Sequence, residues 1–327
     1  MRHALSVVMP VHNEAGDLPA TIGALLTAID RSGFDAELIV VDDGSTDRSA
    51  AIASEAAERR VPLRIISQPN AGRFTARRVG TEAAHAELVL LLDGRVRVAP
   101  DALAFAHARV EAGETVWTAH VHVQSAGNLY GLFWQLLAEL AWFDYFRRPR
   151  TVSFGVEDFD RYPKGTTCFL APRTLLESAF AGFRSQYGDV RLANDDTPIL
   201  RSIAAHERIH ISPEFACTYS PRTTVMSFFR HAVRRGIVFV DGHGKPESRF
   251  FPYVVAFFPL SAALAVGAVK RPLLLPVALA GCGAAAAAYG ARVGRPPRDL
   301  QTLAVVTPLY ALGHGLGMWR GALELLR

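Results

Sequence analysis

Three runs of twenty uncharged residues near the C-terminus constrain this chain more than any other feature. The runs are residues 250–269, 272–291 and 300–319, and charged residues lie in the joints between them. A helix of twenty residues is about 30 Å long, which matches the hydrocarbon thickness of a bilayer. We therefore predict three transmembrane helices, with buried core helices of a large soluble domain as the alternative.

Small residues recur in the second and third of these runs. They include Gly281, Gly283, Gly313, Gly315 and Gly317. Because a glycine lets two helix backbones approach closely, such residues are typical of helix contacts in membranes. We expect these glycines to lie where the helices pack against each other.

The charged residues divide the chain at residue 249. Residues 1–249 carry 28 Lys and Arg against 29 Asp and Glu, whereas residues 250–327 carry seven against two. The net charge of +4 therefore comes from the basic joints, which suit lipid headgroups, and gives no reason to expect a nucleic-acid partner. We expect a soluble domain over residues 1–249 and a membrane domain over residues 250–327.

Basic residues before the first run favour a cytoplasmic position for the soluble domain of a multi-pass protein of the cell membrane. They are Arg230, Arg234, Arg235, Lys245 and Arg249. Further upstream, residues 129–146 form an aromatic-rich apolar stretch followed by a basic cluster, which is typical of a helix in the headgroup layer. A buried core helix is the alternative for that stretch.

Short apolar strands alternate with helical patterns over the first 125 residues. The predicted strands are Leu5–Met9, Glu37–Val41, Leu63–Ser67, Glu87–Leu92 and Val116–Val123. This alternation predicts an α/β fold, a mainly parallel sheet with helices on both faces. Ligands of such sheets bind at the carboxyl ends of strands, so the residues that follow each strand are the first candidates for a site.

Polar residues follow three of these strands. They form the segments Pro10-Val11-His12-Asn13-Glu14, Asp42-Asp43-Gly44-Ser45-Thr46-Asp47 and Asp93-Gly94-Arg95. Each segment alone is ordinary turn or helix-capping chemistry. Together they gather carboxylates at one rim of the sheet, which is typical of a shared ligand such as a sugar hydroxyl, a base N–H or a metal ion.

These motifs, in this order and spacing, resemble those of family-2 inverting glycosyltransferases of the GT-A fold. The match also includes Asn70-Ala71-Gly72, Ala76-Arg77-Arg78-Val79-Gly80 and Leu91-Leu92-Asp93. It covers roughly residues 4–240, and the apolar tail is similar to that of membrane-bound members of the family. The resemblance implies a GT-A fold and a nucleotide-sugar donor.

The resemblance also implies roles for single residues. Val11, Glu14 and Asp42 would hold the base and ribose of the donor, Asp43, Gly44 and Ser45 would shape that loop, and Gly72 would precede two arginines that close over the nucleotide. The full set of expected donor-binding positions is Pro10, Val11, Asn13, Glu14, Asp42, Asp43, Gly44, Ser45, Gly72, Arg73, Arg77, Asp93, Arg95, Arg234 and Arg235. Solvated helix faces are the alternative for Arg73 and Arg77, and a lipid-facing basic patch is the alternative for Arg234 and Arg235.

The chain departs from the family where an Asp-x-Asp motif usually provides a carboxylate for a divalent metal. It has Asp93-Gly94-Arg95, and an arginine does not ligate a cation. Three interpretations stay open: Arg95 neutralises the donor diphosphate in place of Mg²⁺ or Mn²⁺, a metal binds through Asp93 and the phosphates alone, or the protein is an inactive relative. We expect weak or absent metal dependence.

An inverting transfer to a hydroxyl needs a general base. Asn194-Asp195-Asp196-Thr197 resembles the family's Glu-Asp motif, which makes Asp196 the expected base and Asp195 the alternative. Capping of the helix that follows is the structural alternative for both residues. Thr166 and Thr167 correspond to a strand entry near the acceptor pocket of the family.

The expected function is a membrane-anchored enzyme that moves one hexosyl or pentosyl group from a nucleotide-diphosphate sugar to an acceptor hydroxyl. The acceptor would be lipid-linked or a glycan of the cell envelope, and membrane lipids would surround the tail. Transfer to polyprenyl phosphate is the alternative reaction. An inactive nucleotide-sugar-binding membrane protein is the second alternative.

Overall fold

A computed structural model of the chain describes residues 3–57 and 60–326. The chain forms two compact units, here called the sheet unit and the helical unit. The sheet unit contains Met1–His122, Trp142–Arg184 and Asp195–Ser220, and the helical unit contains Val123–Ala141, Ser185–Asn194 and Pro221–Arg327. This division cuts across the boundary at residue 249 that the charge distribution predicts, because parts of residues 1–249 belong to the helical unit.

The first half of the sheet is parallel, as the sequence predicts. Its strands are β1 (Ala4–Val11), β2 (Asp35–Asp43), β3 (Leu63–Gln68) and β4 (Leu88–Leu92), side by side in the order β3-β2-β1-β4. The polar segments after β1, β2 and β4 therefore begin at the same edge of the sheet.

The second half of the sheet differs from the predicted, mainly parallel arrangement. Its strands are β5 (Val96–Val98), β6 (Trp117–Val123), β7 (Val152–Phe154), β8 (Cys168–Pro172) and β9 (Ile209–Tyr219). The order continues β4-β8-β6-β9-β5, with β7 beside β9, and the β4–β8, β6–β8, β5–β9 and β7–β9 pairs are antiparallel. The sheet is therefore mixed.

Helices cover both faces of the sheet, which confirms that prediction. Those in the sheet unit are α1 (Leu18–Arg31), α2 (Ser49–Ala57), α3 (Arg73–Glu82), α4 (Ala102–Glu111), α6 (Phe143–Arg147), α7 (Arg173–Gly182) and α8 (Thr197–Ala204). Leu5 and Val7 of β1 share a core with α1, whereas Val8 faces the opposite way and meets Gly80 of α3. A Cβ on Gly80 would overlap the Val8 side chain, so α3 lies directly on the sheet.

The helical unit contains α5 (Leu129–Ala141), α9 (Val225–His243), α10 (Phe251–Lys270), α11 (Leu274–Arg292) and α12 (Pro297–Glu324). The single helix expected over residues 129–146 is interrupted at Trp142, where α5 has ended and α6 has not begun. Leu132 and Leu136 of α5 are buried against Leu303 of α12. This packed face matches the buried-helix alternative for that stretch.

Two of the three predicted spans have the length and apolar character needed to cross a membrane. They are α10 and α11, and most of their side chains are exposed in the chain on its own. The third predicted span lies inside α12. This helix is long enough to cross a membrane, but it is less apolar than α10 and α11. Gln301, Tyr310 and His314 make it more polar. A third membrane crossing therefore stays a prediction.

The glycines of α11 and α12 lie at close helix contacts, as expected for Gly283, Gly313 and Gly317. A Cβ on Gly317 would overlap the carbonyl oxygen of Val233 in α9, and one on Gly283 would overlap the carbonyl oxygen of Ala304. Gly281, in contrast, has no atom within 4 Å of the position a Cβ would take.

We predict that Gly317→Ala destabilises the protein by about 1–3 kcal/mol, because the added methyl forces α9 and α12 apart. Thermal unfolding in detergent measures the loss. Gly281→Ala is the matched control, and it should leave the midpoint unchanged or raise it slightly, since alanine favours a helix. Equal midpoints for the two variants would contradict the close contact.

Candidate active site

Hydrogen bonds tie together the two loops that follow β1 and β2. The Asn13 side-chain oxygen accepts hydrogen bonds from the backbone N–H groups of Thr46 (2.8 Å) and Asp47 (3.3 Å), and the Asn13 N–H donates to Ser45 Oγ (3.0 Å). Asn13 has a φ of 55°, a left-handed conformation that asparagine tolerates better than most residues. The Asp42 carboxylate accepts from the Ser45 N–H (3.0 Å) and turns the second loop.

Asp43 fixes the next loop along the rim. Its carboxylate is buried and accepts from the Gln68 side chain (2.7 Å) and from the backbone N–H groups of Ala71 and Gly72 (2.8 Å each). A Cβ on Gly44 would lie 2.7 Å from the Asn70 nitrogen, so this turn has no room for a side chain. Asp43 and Gly44 thus hold the turn after β2 against residues 70–72.

A buried arginine joins three carboxylates at the centre of the sheet unit. Arg77 is 1% exposed, and its guanidinium donates to Asp93 (2.6 Å), Asp195 (2.8 Å) and Asp196 (3.3 Å). Arg73 donates to both oxygens of Asp195, at 2.8 and 3.2 Å. We call these five residues the arginine–aspartate cluster.

Three elements build the cluster. Arg73 and Arg77 are four residues apart at the start of α3, so they share one face of the helix. Asp93 follows β4, and its N–H donates to the carbonyl of Thr167 just before β8 (2.9 Å). Asp195 and Asp196 immediately precede α8. Four of the five residues lie at the end of an element, and Arg77 lies one turn inside α3.

Asp195 and Asp196 have different surroundings. The Asp195 side chain is 4% exposed and is held by both arginines, whereas the Asp196 side chain is 35% exposed. Thr166 Oγ1 donates a short hydrogen bond to Asp196 Oδ1. Neither carboxylate is engaged in capping α8, because the Asp196 side chain caps nothing and Asp195 is bound by arginine. Of these two carboxylates, that of Asp196 is the more open to another molecule, and its Oδ2 lies 3.9 Å from Arg73 Nη2.

Arg95 is engaged by carboxylates away from this cluster. Its Nε lies 2.5 Å from Glu14 Oε2 and its Nη1 lies 3.2 Å from Asp17 Oδ2. Glu14 was expected at the site, but Asp17 was not. Both belong to the turn that precedes α1, in which the Asp17 N–H donates to the Glu14 carbonyl (3.0 Å), so their spacing of three residues was the available signal.

The donor set around Asp93 does not fit a divalent metal held by protein ligands. Within residues 3–57 and 60–326, no group of three or more His, Cys, Asp or Glu side chains is arranged to hold a metal ion. Asp93 is bound by Arg77. Arg95 stands where the family usually has a second carboxylate, and its guanidinium is paired with Glu14. The positive charge beside Asp93 is a guanidinium.

The remaining predicted positions lie in two places. Pro10 and Val11 are buried at the end of β1, where Val11 belongs to the core. Arg234 and Arg235 are exposed on α9 of the helical unit. The Arg234 guanidinium donates to the Arg191 carbonyl (3.0 Å), and Arg235 lies over the Trp134 ring.

Ionisation of Asp195 gives the first testable consequence of this geometry. Burial opposes ionisation, but the charges of Arg73 and Arg77 outweigh it and hold the pKa of Asp195 well below its ordinary value of 3.8. A depressed pKa adds stability that is complete above the unfolded-state pKa and is lost as the pH falls toward the folded-state pKa.

We predict that Asp195→Asn lowers the free energy of unfolding by about 3–5 kcal/mol, because it leaves buried arginine charge uncompensated. The difference from the unmodified protein should be constant from about pH 8 to 5 and shrink as the pH falls below about 4. Denaturant unfolding across this range measures it. Asp189→Asn, which breaks a more exposed pair with Arg191, should cost no more than about 1 kcal/mol at any pH. A difference that shrinks near neutral pH would contradict the assignment.

Solved structures share this fold at low sequence identity. A structure of S. aureus TarS residues 1–349 in complex with UDP-GlcNAc superposes with a TM-score of 0.53 at 15% identity, over 96% of this chain and 92% of the other. The mannosyltransferase PcManGT from Pyrobaculum calidifontis, in complex with GDP-Man and Mn²⁺, gives a TM-score of 0.55 at 19% identity, over 100% of this chain and 88% of the other.

Relatives in sequence match a shorter part of the chain. The undecaprenyl-phosphate 4-deoxy-4-formamido-L-arabinose transferase of Shewanella sediminis is 34% identical over 125 residues, which are 37% of this chain and 38% of the relative. The transferase of the same name from Pectobacterium carotovorum subsp. carotovorum is 37% identical over 100 residues, 30% of each chain. The chain thus matches well under half the length of these relatives.

The family model for glycosyl transferase family 2 matches residues 6–176, which is more than half of the chain. This range contains β2, β3, β4 and all but the first two residues of β1, together with the rim loops that follow these strands and both arginines of the cluster. It ends before Asp195 and Asp196. On this match, the chain belongs to glycosyl transferase family 2.

Proposed function

We propose that the protein is a membrane-anchored inverting glycosyltransferase that moves one sugar from a nucleotide-diphosphate donor to a lipid-linked or cell-envelope acceptor. The observation that carries the proposal is the arginine–aspartate cluster. It joins Asp93, at the donor end of the sheet, to the Asp195–Asp196 pair through one buried guanidinium. Family membership supplies the reaction class.

The two arginines have the chemistry to stabilise a departing nucleoside diphosphate. Its negative charge grows as the bond to the sugar breaks, and guanidinium groups bind phosphate oxygens bidentately while keeping their charge. Arg73 is the more accessible of the two, with 39% of its side chain exposed against 1% for Arg77. We assign Arg73 to contact with the diphosphate and Arg77 to holding the aspartates around it. The rim loops that contain Glu14 and Asp42 would receive the nucleoside.

Asp196 is the better candidate for the general base. A base needs a free oxygen within hydrogen-bond reach of the acceptor hydroxyl. Asp195 has both oxygens bound by arginine and is almost fully buried, while Asp196 is one-third exposed. Thr166 and Arg77 donate hydrogen bonds to Oδ1 of Asp196. Oδ2 accepts none from them and lies 3.9 Å from the Arg73 guanidinium, so it is the oxygen that would take the proton.

Polyprenyl phosphate is a second candidate acceptor, and the names of the relatives favour it, since both refer to undecaprenyl phosphate. Such an acceptor is already an anion and needs no base. Either acceptor is consistent with a multi-pass protein anchored through α10 and α11, with the sheet unit on the cytoplasmic side. An acceptor embedded in the same membrane would then diffuse to the site in two dimensions.

The substitution Asp196→Asn distinguishes the two acceptors. With a hydroxyl acceptor we expect the transfer rate to fall by about 10²–10⁴-fold, because the proton has no acceptor in the transition state. With undecaprenyl phosphate the rate should stay close to that of the unmodified protein. Nucleoside diphosphate release from detergent-solubilised membranes, supplied with each acceptor class, measures both. Asp189→Asn is the control for a lost carboxylate, and unchanged rates with every acceptor would remove Asp196 from the mechanism.

We also propose that donor binding needs no divalent metal, because Arg77 already occupies the carboxylate of Asp93. In a thermal-shift panel of UDP-, GDP- and dTDP-sugars, the cognate donor should raise the melting temperature equally with Mn²⁺ and with EDTA. Arg73→Ala should abolish that shift. Arg78→Ala should preserve it, since Arg78 lies on the same helix with similar exposure but pairs with Glu82. A shift, or activity, that EDTA removes and Mn²⁺ restores would refute metal independence.

A further inference from the structure

One buried carboxylate in the helical unit holds both ends of the segment Ser185–Asn194. Asp241 of α9 is 3% exposed. Its Oδ1 accepts from Ser185 Oγ (2.9 Å) and from the Gln186 N–H (2.7 Å), and its Oδ2 accepts from the Asn194 N–H (2.7 Å). A single side chain thus closes a ten-residue segment.

The rest of the segment lies along the same helix. Gln186 Nε2 donates to the carbonyls of Val240 (3.2 Å) and Asp241 (2.7 Å), and the Tyr187 hydroxyl donates to the carbonyl of Ile237 (2.7 Å). A Cβ on Gly242 would overlap the Asn194 side chain, so the end of the segment rests against the helix backbone. Residues 185–194 therefore have α9 as their support.

The chain leaves this support at one particular point. Asn194 is the last residue held by Asp241, and Asp195 and Asp196 follow it directly. Fixing the Asn194 N–H fixes the backbone from which the two aspartates start. A buried carboxylate is costly unless its hydrogen bonds are made. Asp241 is therefore explained by the segment that it binds.

We propose that Asp241 is a positioning residue, which fixes the backbone of Asn194 and so the point of the chain from which the Asp195–Asp196 pair follows. The inference rests on the proposed function of that pair. Displacement of a reacting group by about 1 Å costs on the order of a hundredfold in rate, so the loss of the anchor on Asn194, two residues before the proposed base Asp196, is measurable. Asp241 touches neither donor nor acceptor in this assignment.

The test compares Asp241→Asn with Ser185→Ala in the full-length protein. The asparagine oxygen keeps its place against the two donors Ser185 and Gln186, so its NH₂ group faces the Asn194 N–H and that bond is lost. Ser185→Ala removes a different bond to the same carboxylate and leaves Asn194 held. Expected results are a fall of about a hundredfold in kcat for Asp241→Asn, with donor KM within about threefold, and a normal kcat for Ser185→Ala.

A second readout needs no substrate. Hydrogen–deuterium exchange of the Asn194 amide should accelerate in Asp241→Asn and stay slow in Ser185→Ala, while amides of α9 stay protected in both. Gly242→Ala provides an independent variant without a change of charge, since its Cβ would overlap the Asn194 side-chain amide, and it should lower kcat in the same direction. An exchange rate and a kcat equal to those of Ser185→Ala, in both Asp241→Asn and Gly242→Ala, would overturn the proposal.

The double variant with Asp196→Asn separates this inference from the proposed function. Where Asp196 is the base and Asp241 acts through it, adding Asp241→Asn to Asp196→Asn should slow transfer to a hydroxyl acceptor by less than about threefold further. A full and independent loss in the double variant would show that Asp241 acts elsewhere. Should Asp196→Asn alone leave transfer unchanged, the base assignment fails, and the exchange measurement still decides whether Asp241 holds Asn194.

Discussion

The guanidinium of Arg77 is surrounded by carboxylates and almost excluded from solvent, and the candidate site depends on that arrangement. An unpaired charge is very costly to bury, so Arg77 is tolerable only while Asp93 and Asp195 compensate it. The same ion pairs hold the end of β4 against the start of α8. Charge compensation thus specifies where three separate parts of the chain meet, in addition to the packing of the apolar core.

Buried carboxylates fix loops in both units of the protein. Asp43 accepts from the backbone of Ala71 and Gly72, just ahead of Arg73, and Asp241 accepts from the backbone of Asn194, just ahead of Asp195. In each case an acidic side chain binds the residue that precedes a member of the arginine–aspartate cluster. Hydrogen bonds to a charged acceptor are stronger than neutral ones, which suits loops that must not move.

Much of the sheet unit could be predicted from the sequence because its signals are local. Each parallel strand is a short apolar run, and the polar rim follows each run directly, so Asp42 and Asp93 were found from position alone. In the antiparallel half, β6 was predicted as the strand Val116–Val123 but its antiparallel pairing was not, and β7 and β9 were missed because they carry no comparable alternation with helices. The partners of Arg77 lie 16, 118 and 119 residues away, and no local pattern encodes such a pairing. The hydrogen bond between Asp241 and Asn194, which are 47 residues apart, was not predicted for the same reason.

The shared guanidinium has a consequence for how this site can change over evolutionary time. Loss of Arg77 alone would leave Asp93 and the Asp195–Asp196 pair repelling one another in a buried place, and loss of one aspartate would leave excess positive charge. The positions therefore constrain one another, and single substitutions are penalised even where the sugar or the acceptor changes. Diversification of specificity is then directed to surfaces outside the cluster, where a residue can be exchanged without a compensating partner.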